Sequence, residues 1–245
     1  MSNNLTSSFR DPSGFLFRYE GKLYRQVNKV YANDFKMLTD SGLYSRLVEK
    51  GLLIPHGNAH EELAQNAHSH CIIEPELVPF ISYPYEWSFS QLKDAALATL
   101  RIQKIALKKG MTLKDASAYN IQFHQGRPVL IDTLSFTAYE EGQPWVAYRQ
   151  FCQHFLAPLA LMALRDVRLN SLLRTSIDGI PLDLAARLLP MRTKLNPGLL
   201  MHIHAHSASQ KKHEDERKSA KGTKISKQSL LGIIDSLRGA VRKLE

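Results

Sequence analysis

Residues 111–136, MTLKDASAYNIQFHQGRPVLIDTLSF, place three oxygen-bearing side chains at informative positions. Asp115 stands in a loop after a long helical stretch, Asn120 begins a strand-like run five residues later, and Asp132 ends the next apolar run. Phosphoryl transfer from a nucleotide depends mainly on positioning and charge neutralisation, and Mg²⁺ takes hard oxygen ligands. A loop carboxylate such as Asp115 can accept a hydroxyl proton, and the side-chain oxygens of Asn120 and Asp132 are of the kind that Mg²⁺ takes.

This arrangement resembles the D-x-x-x-x-N segment of protein kinases, where a hairpin and then a metal-binding Asp after an apolar strand follow. The resemblance implies that Asp115 is the catalytic base and that Asn120 and Asp132 hold Mg²⁺ beside ATP. Taken singly, an Asp or Asn in a loop is usually a cap or turn residue. The interpretation therefore depends on the set and its order.

The resemblance also implies residues that bind the nucleotide. A hinge at Tyr83–Glu86 is expected to meet the adenine ring through Tyr83, Tyr85 and Glu86. For the lysine that kinases carry on the third strand, Arg25 or Lys22 is the nearest candidate, and we predict Arg25. Arginine is not a neutral replacement for lysine at a crowded phosphate site.

Several positions depart from the kinase pattern. The first hairpin offers only Ser13-Gly14 and Gly21 in place of a glycine-rich loop. Leu113 stands where many kinases have the His of the catalytic loop, and Thr133-Leu134 replaces the Phe-Gly after the metal Asp. The sequence thus predicts a retained fold with activity either altered or lost.

The order of predicted elements supports a two-lobed fold. Strands and one helix come first, and a mainly helical half with a second hairpin follows. We predict an α+β, protein-kinase-like fold with a β-rich lobe at 1–88 and a helical lobe at 89–206. The underlying segments are a hairpin at Gly14–Val27, a helix at Ala32–Lys50, strands at Leu52–Pro55 and Cys71–Ile81, a helix at Ser90–Lys109, strands at Asn120–Phe123 and Pro128–Ile131, and helices almost to Met201.

The C-terminal part carries much of the net charge of +9. Residues 207–228 contain seven Lys or Arg against three acids and almost no large apolar residues, which is typical of a charged linker. Residues 229–245 form an amphipathic pattern with nothing local to pack against, so a missing downstream domain is expected. The charges lack interleaved aromatic residues, which disfavours nucleic-acid binding.

Composition predicts a cytoplasmic protein without membrane segments. The two cysteines lie far apart, and no apolar run is long enough to span a bilayer or form a signal peptide. The string His202-Ile203-His204-Ala205-His206 is interpreted as a surface or interface helix end, and a transition-metal site is the weaker alternative because no carboxylate or Cys lies close in sequence.

Longer stretches extend the resemblance, among them VPFISYPYEWSFSQLKDAALATLRIQ and PWVAYRQFCQHFLAPLAL. They resemble the N-terminal half of a bacterial family named for class I S-adenosylmethionine-dependent methyltransferases, some of whose members are called nodulation proteins. This resemblance implies that a methyltransferase domain follows the linker and that S-adenosylmethionine binds only there. The present chain shows no glycine-rich turn of the Rossmann type.

Two hypotheses follow, and a third is weaker. The chain is either a kinase-like domain that binds a magnesium nucleotide and transfers phosphate to a small molecule or carrier, or a silent pseudokinase module. The pseudokinase would recognise substrate or dock the downstream methyltransferase domain. A basic nucleic-acid-binding protein is the third reading.

Overall fold

An antiparallel sheet forms the N-terminal lobe of the computed structural model, which describes residues 3–4, 11–205 and 224–245. Its five strands are arranged in the order β1-β2-β3-β5-β4, so that the chain crosses from β3 to the far edge and returns. The strands are β1 Asn3–Asn4, β2 Gly14–Tyr19, β3 Lys22–Asn28, β4 His56–Asn58 and β5 Ser69–Pro75.

A tight two-residue turn sets the register of β2 and β3. Glu20 and Gly21 both have positive φ, 48° and 79°, as a twisted hairpin turn requires. Leu16 then faces Arg25 across the pair, and Arg18 faces Leu23. Directly opposed residues point to the same face of a sheet, so these four side chains share the face toward the second lobe.

The helix predicted at Ala32–Lys50 is two helices, α1 Ala32–Asp40 and α2 Leu43–Glu49. Gly42 between them adopts the left-handed conformation at φ 70°, which ends the first helix. The strand predicted at Leu52–Pro55 is reduced to a parallel bridge between Leu53 and Leu130, and the one predicted at Cys71–Ile81 ends at Pro75. Helical spacing alone did not reveal the break at Gly42.

A long buried helix, α3 Phe89–Lys108, opens the second lobe. Ser88 caps it by accepting a hydrogen bond from the Gln91 backbone N–H, and the Gln91 side chain returns the contact. Four short strands follow, in two antiparallel pairs, β6 with β9 and β7 with β8. They are β6 Met111–Leu113, β7 Ile121–His124, β8 Arg127–Leu130 and β9 Phe136–Ala138, of which β6 and β9 were not predicted.

Short helices complete this lobe and enclose its core. Fully buried apolar side chains of α3 pack against those of the helix that contains α5. The helices are α4 Tyr148–Phe151, a π-helical segment at Cys152–Leu156, α5 Ala157–Leu164, α6 Leu172–Thr175, α7 Leu182–Leu188, α8 Pro197–Leu199, a π-helical segment at Leu200–Ala205, and α9 Lys227–Arg242.

The expectation that the C-terminal amphipathic helix has nothing local to pack against is wrong. The apolar face of α9, including Ile234 and Leu237, is fully buried against α3 and α8. Lys104 of α3 also contacts Asp235 at 2.7 Å. The helical periodicity showed the apolar face but not its partner, which lies more than a hundred residues earlier. Most of the predicted linker at 207–228 lies outside the described residues, and the domain boundaries stay a prediction.

The predicted fold class is confirmed: the chain is α+β, with a sheet lobe and a helical lobe in the kinase-like order. Within the three described ranges, none of the helices combines the length and hydrophobicity that crossing a bilayer demands.

Candidate functional site between the lobes

A buried ion pair joins the two lobes at the centre of the candidate site. Nη1 of Arg25, on β3, lies 2.5 Å from Oδ1 of Asp132, and the two side chains are 9% and 16% exposed. Arg25 thus comes from the sheet and Asp132 from the chain just after β8. The sequence predicted both residues for the site but gave no distance between them.

Ser135 links the two predicted metal ligands. Its hydroxyl donates to Oδ2 of Asp132 at 2.5 Å and accepts from Nδ2 of Asn120 at 3.3 Å. The β7–β8 hairpin makes this possible, because the backbone N–H of Ile131 donates to the carbonyl oxygen of Asn120 at its base. Sequence reasoning missed Ser135, although its position three residues after Asp132 is that of a turn-closing residue.

The environment of Asp132 favours its ionised form. Burial by itself raises the pKa of this carboxyl, but Arg25 and the hydrogen bonds from Ser135 and the Leu134 backbone N–H more than offset that effect. The pKa of Asp132 is consequently held below its ordinary value. A carboxylate is what a cation ligand at this position requires.

Asp115 makes a separate set of contacts in the helical lobe. Its Oδ1 accepts from the Ser117 backbone N–H and from Nε2 of Gln150, both at 2.8 Å. Gln150 also accepts from the backbone N–H of Ala116 at 2.7 Å, so one side chain fixes the whole loop. Neither of these bonds uses Oδ2 of Asp115.

A buried histidine lies near this loop. His154 is 2% exposed, its Nδ1 has no hydrogen-bond partner among the described residues, and its ring meets that of Tyr119 edge-on at 6.1 Å. Burial lowers the pKa of His154 to about 4, although the charges of Asp115 and Asp178 act in the opposite direction. The imidazole is therefore neutral near pH 7.

Further polar contacts tie the sheet lobe to the strands around Asp132. The Tyr31 hydroxyl donates to the carbonyl oxygen of Phe136 at 2.6 Å, and Nζ of Lys114 donates to Oγ of Ser13 at 2.7 Å. Asp34 of α1 accepts from the backbone N–H of Ala138. Asp34 thus binds β9 rather than Arg25, so the arginine has Asp132 as its ionic partner.

An apolar cavity of about 410 Å³ lies under the same sheet face as Arg25. Leu16 and Leu23 form its upper wall, Ile131 its lower wall, and residues 75–79 with Ile81 its side. Ile131 directly precedes Asp132, so the cavity and the ion pair are neighbours along the chain. Its volume suits a planar heterocyclic ring with room to spare.

The predicted hinge residues are not among those that line this cavity. Tyr83 and Tyr85 stack on each other at 5.4 Å, and the Glu86 carboxylate accepts from the Tyr83 backbone N–H at 2.7 Å, which caps a short helical turn. The segment that lines the cavity, Glu76 to Pro79, lies several residues earlier. In the sequence, the turn at 82–87 is the more conspicuous of the two segments, because it contains a proline among aromatic residues.

The described histidines of the C-terminal string, His202 and His204, form hydrogen bonds with hydroxyl groups. His202 is fully buried, with Nδ1 2.6 Å from the Tyr148 hydroxyl and Nε2 2.9 Å from Oγ of Ser236. Nε2 of His204 contacts Oγ1 of Thr193 at 2.8 Å, and His206 lies outside the described residues. Within the described part of the chain, His, Cys, Asp and Glu side chains form no group of three that could hold a metal.

Fold and site together define a two-lobed α+β module with a buried Arg25–Asp132 ion pair and an apolar cavity beside it. No family model matches the chain. Over 201 residues it is 37% identical to nodulation protein NoeA of Rhizobium meliloti (strain 1021), an alignment that covers 81% of this chain and 42% of NoeA. The chain thus spans less than half the length of that relative.

The chain is also distantly similar to a solved structure. The crystal structure of WbdD shares 13% sequence identity at a TM-score of 0.39, covering 85% of this chain and 50% of WbdD. The sheet lobe, the helical lobe and the strand order define the fold. The similarity to NoeA agrees with the resemblance to nodulation proteins, whereas the methyltransferase part of that resemblance stays a prediction.

Proposed function

We propose that this chain is a nucleotide-binding, kinase-like module that holds Mg-ATP between its lobes. The observation that carries the proposal is the network Arg25–Asp132–Ser135–Asn120, located where the apolar cavity ends. The cavity would take the adenine ring, and Asp132 and the carboxamide oxygen of Asn120 would coordinate Mg²⁺.

Arg25 has a further property that supports an anionic ligand. Its Nε is buried without a hydrogen-bond partner among the described residues, which is costly for a charged donor. A phosphate oxygen would satisfy this donor, since arginine binds phosphate with two parallel N–H groups. Arg25 would then move its charge from Asp132 to the phosphates when Mg²⁺ occupies the carboxylate.

Phosphoryl transfer is the chemistry that Asp115 would serve. An acceptor hydroxyl oxygen would attack the γ-phosphorus, the bond to the β–γ bridging oxygen would break, and the hydroxyl proton would pass to Asp115. The acceptor is a small molecule or a carrier, reached from the side of the helical lobe that holds the Asp115 loop. An activity that uses ATP and Mg²⁺ would be expected in the cytoplasm.

Nucleotide binding is tested by thermal unfolding with and without millimolar Mg-ATP. We expect an upward shift in Tm that is lost in Asp132→Asn and Asn120→Ala, because a ligand that binds the folded state stabilises it by mass action. Asp183→Asn, a change on the exposed Asp183–Arg187 pair, is the matched control and should keep the shift. Absence of any shift in the unmodified chain at millimolar nucleotide would refute the proposal.

A silent pseudokinase module is the second candidate. Both oxygens of Asp132 are already satisfied by Arg25 and Ser135, so the site is stable without a cation. Such a module would recognise substrate or dock a downstream methyltransferase domain, the only part expected to bind S-adenosylmethionine. The fully buried side chains of α9, such as Ile234 and Leu237, pack against α3 and α8 and are not available for such docking.

Asp115→Asn separates the two candidates in the full-length protein. The carboxamide keeps the hydrogen bond to the Ser117 backbone N–H but cannot accept a proton. If the module is silent, this variant should keep the full activity of the full-length protein. If the chain is a phosphotransferase, the variant should form no phosphorylated product but should still bind nucleotide.

A further inference from the structure

Cationic side chains from distant parts of the sequence meet along one side of α3. They come from the end of α2, the exposed face of α3, the β7–β8 turn and α9. They line two adjoining concave surfaces of about 410 and 420 Å³, which share three of these residues and so form one continuous groove. Among the described residues, the groove cations with no acidic partner are Lys50, Arg101, Lys108, Lys109, Arg127, Arg238 and Arg242.

These side chains are not neutralised by the rest of the described structure. None of the seven takes part in an ion pair there. The nearby acids Glu49 and Asp235 are occupied by Arg46 and Lys104, and Asp94 is the one carboxylate among the lining residues. A cleft lined by charges of one sign focuses the field and attracts a counter-charged ligand.

The shape of the groove restricts the kind of ligand. From Asp94 to Lys108 it follows α3 for about 20 Å, the length of roughly six residues of extended chain. Its floor includes the half-buried aliphatic side chains of Leu97 and Ile105. A concave channel with an aliphatic floor fits a narrow polypeptide better than a flat bilayer, and it lacks the aromatic platforms that bind single-stranded nucleic acid.

We infer that this basic groove docks an acidic segment of a partner protein, independently of nucleotide binding between the lobes. Carboxylates of the segment would pair with Arg101 and Arg238 at the centre, where the two concave surfaces meet. Arginine forms two parallel hydrogen bonds with a carboxylate, which gives such a contact direction as well as charge.

The test is fluorescence anisotropy of a labelled octaglutamate peptide titrated with the full chain at low salt. We expect saturable binding that Arg101→Glu/Arg238→Glu weakens by about tenfold or more, since like charges then face the peptide. Arg192→Glu/Lys194→Glu changes the net charge equally at exposed positions outside the groove and should leave binding unchanged. Arg101→Gln/Arg238→Gln should give an intermediate loss and serves if the reversed variant does not fold.

Three results would overturn the inference. These are absence of saturable peptide binding, equal weakening by both charge-reversed pairs, and tighter binding of an oligothymidylate or of anionic vesicles than of the peptide. The Mg-ATP shift in Tm is measured on the same variants. A retained shift with lost peptide binding distinguishes failure of the groove from failure of the nucleotide site.

Discussion

Replacing Arg25 with methionine tests the ion pair on which the candidate site depends. Methionine keeps most of the length and packing of the arginine stem but removes the charge next to Asp132. The carboxylate would then remain buried at 16% exposure, with Ser135 and the Leu134 backbone N–H as its remaining donors. An uncompensated buried charge is strongly destabilising.

The expected size follows from the burial of the pair. Breaking a buried ion pair by removing one partner costs about 3–5 kcal/mol, whereas an exposed pair contributes about 0–1 kcal/mol. For a chain of this length, these values correspond to a fall in Tm of about 6–20 °C for Arg25→Met. Arg46→Met breaks the exposed Arg46–Glu49 pair and should change Tm by only a few degrees.

The assay is thermal and urea unfolding followed by circular dichroism, without nucleotide. Arg25→Met/Asp132→Leu should recover much of the lost stability, because replacing both charges leaves no buried charge unpaired. If Arg25→Met proves as stable as Arg46→Met, the pair is not buried as described, and the reasoning about the site fails with it.

Three further changes test other parts of the fold. Gly14→Ala should destabilise the chain by about 1–3 kcal/mol in urea unfolding, because the new Cβ would lie 2.1 Å from a carbonyl oxygen of β3. Gly57→Ala is the control and should not destabilise the chain, because a Cβ at Gly57 would point into open space. Gln150→Leu should cost about 1–3 kcal/mol in the same assay by leaving the buried backbone N–H of Ala116 without an acceptor. His56→Phe should stabilise the chain relative to the unmodified protein, and the difference in Tm should grow as pH falls from about 6.5 to about 4. Burial lowers the pKa of His56 to about 4, so between these pH values only the unfolded chain gains the proton. A pH-independent difference would show that His56 does not titrate in this way.

The parts of the fold that the sequence predicted correctly depend on local chemistry. The turns at Glu20-Gly21 and Gln125-Gly126 are visible because positive φ favours particular residues. The apolar spacing from Leu92 onward likewise marks α3, because a buried helix repeats its apolar residues every three or four positions. The break at Gly42 was missed because a single glycine inside a helical pattern does not by itself end a helix.

Three of the predicted site residues, Arg25, Asn120 and Asp132, lie in one network of polar contacts, while their roles stay a prediction. Asn120 and Asp132 lie close together because one hairpin joins them, and hairpin register follows from its turn. The predicted hinge at Tyr83–Glu86 stays a prediction, and the residues that line the cavity, such as Leu77 and Val78, carry no chemical signal in the sequence. Leu77 and Val78 line a cavity only because the sheet lies above them in the folded chain.

By itself, the sequence determined the lobe order, the hairpins and the spacing of three oxygen-bearing side chains, all of which depend on neighbours along the chain. The tertiary structure decided which distant residues meet: Arg25 with Asp132, α9 with α3, and the separate cations that form the basic groove. The physical reason is that burial and charge act through space. A lysine in the groove and a lysine elsewhere on the surface look alike in the sequence. Only the packing of the helices brings the groove lysine close to the other cations, so that their electrostatic fields add.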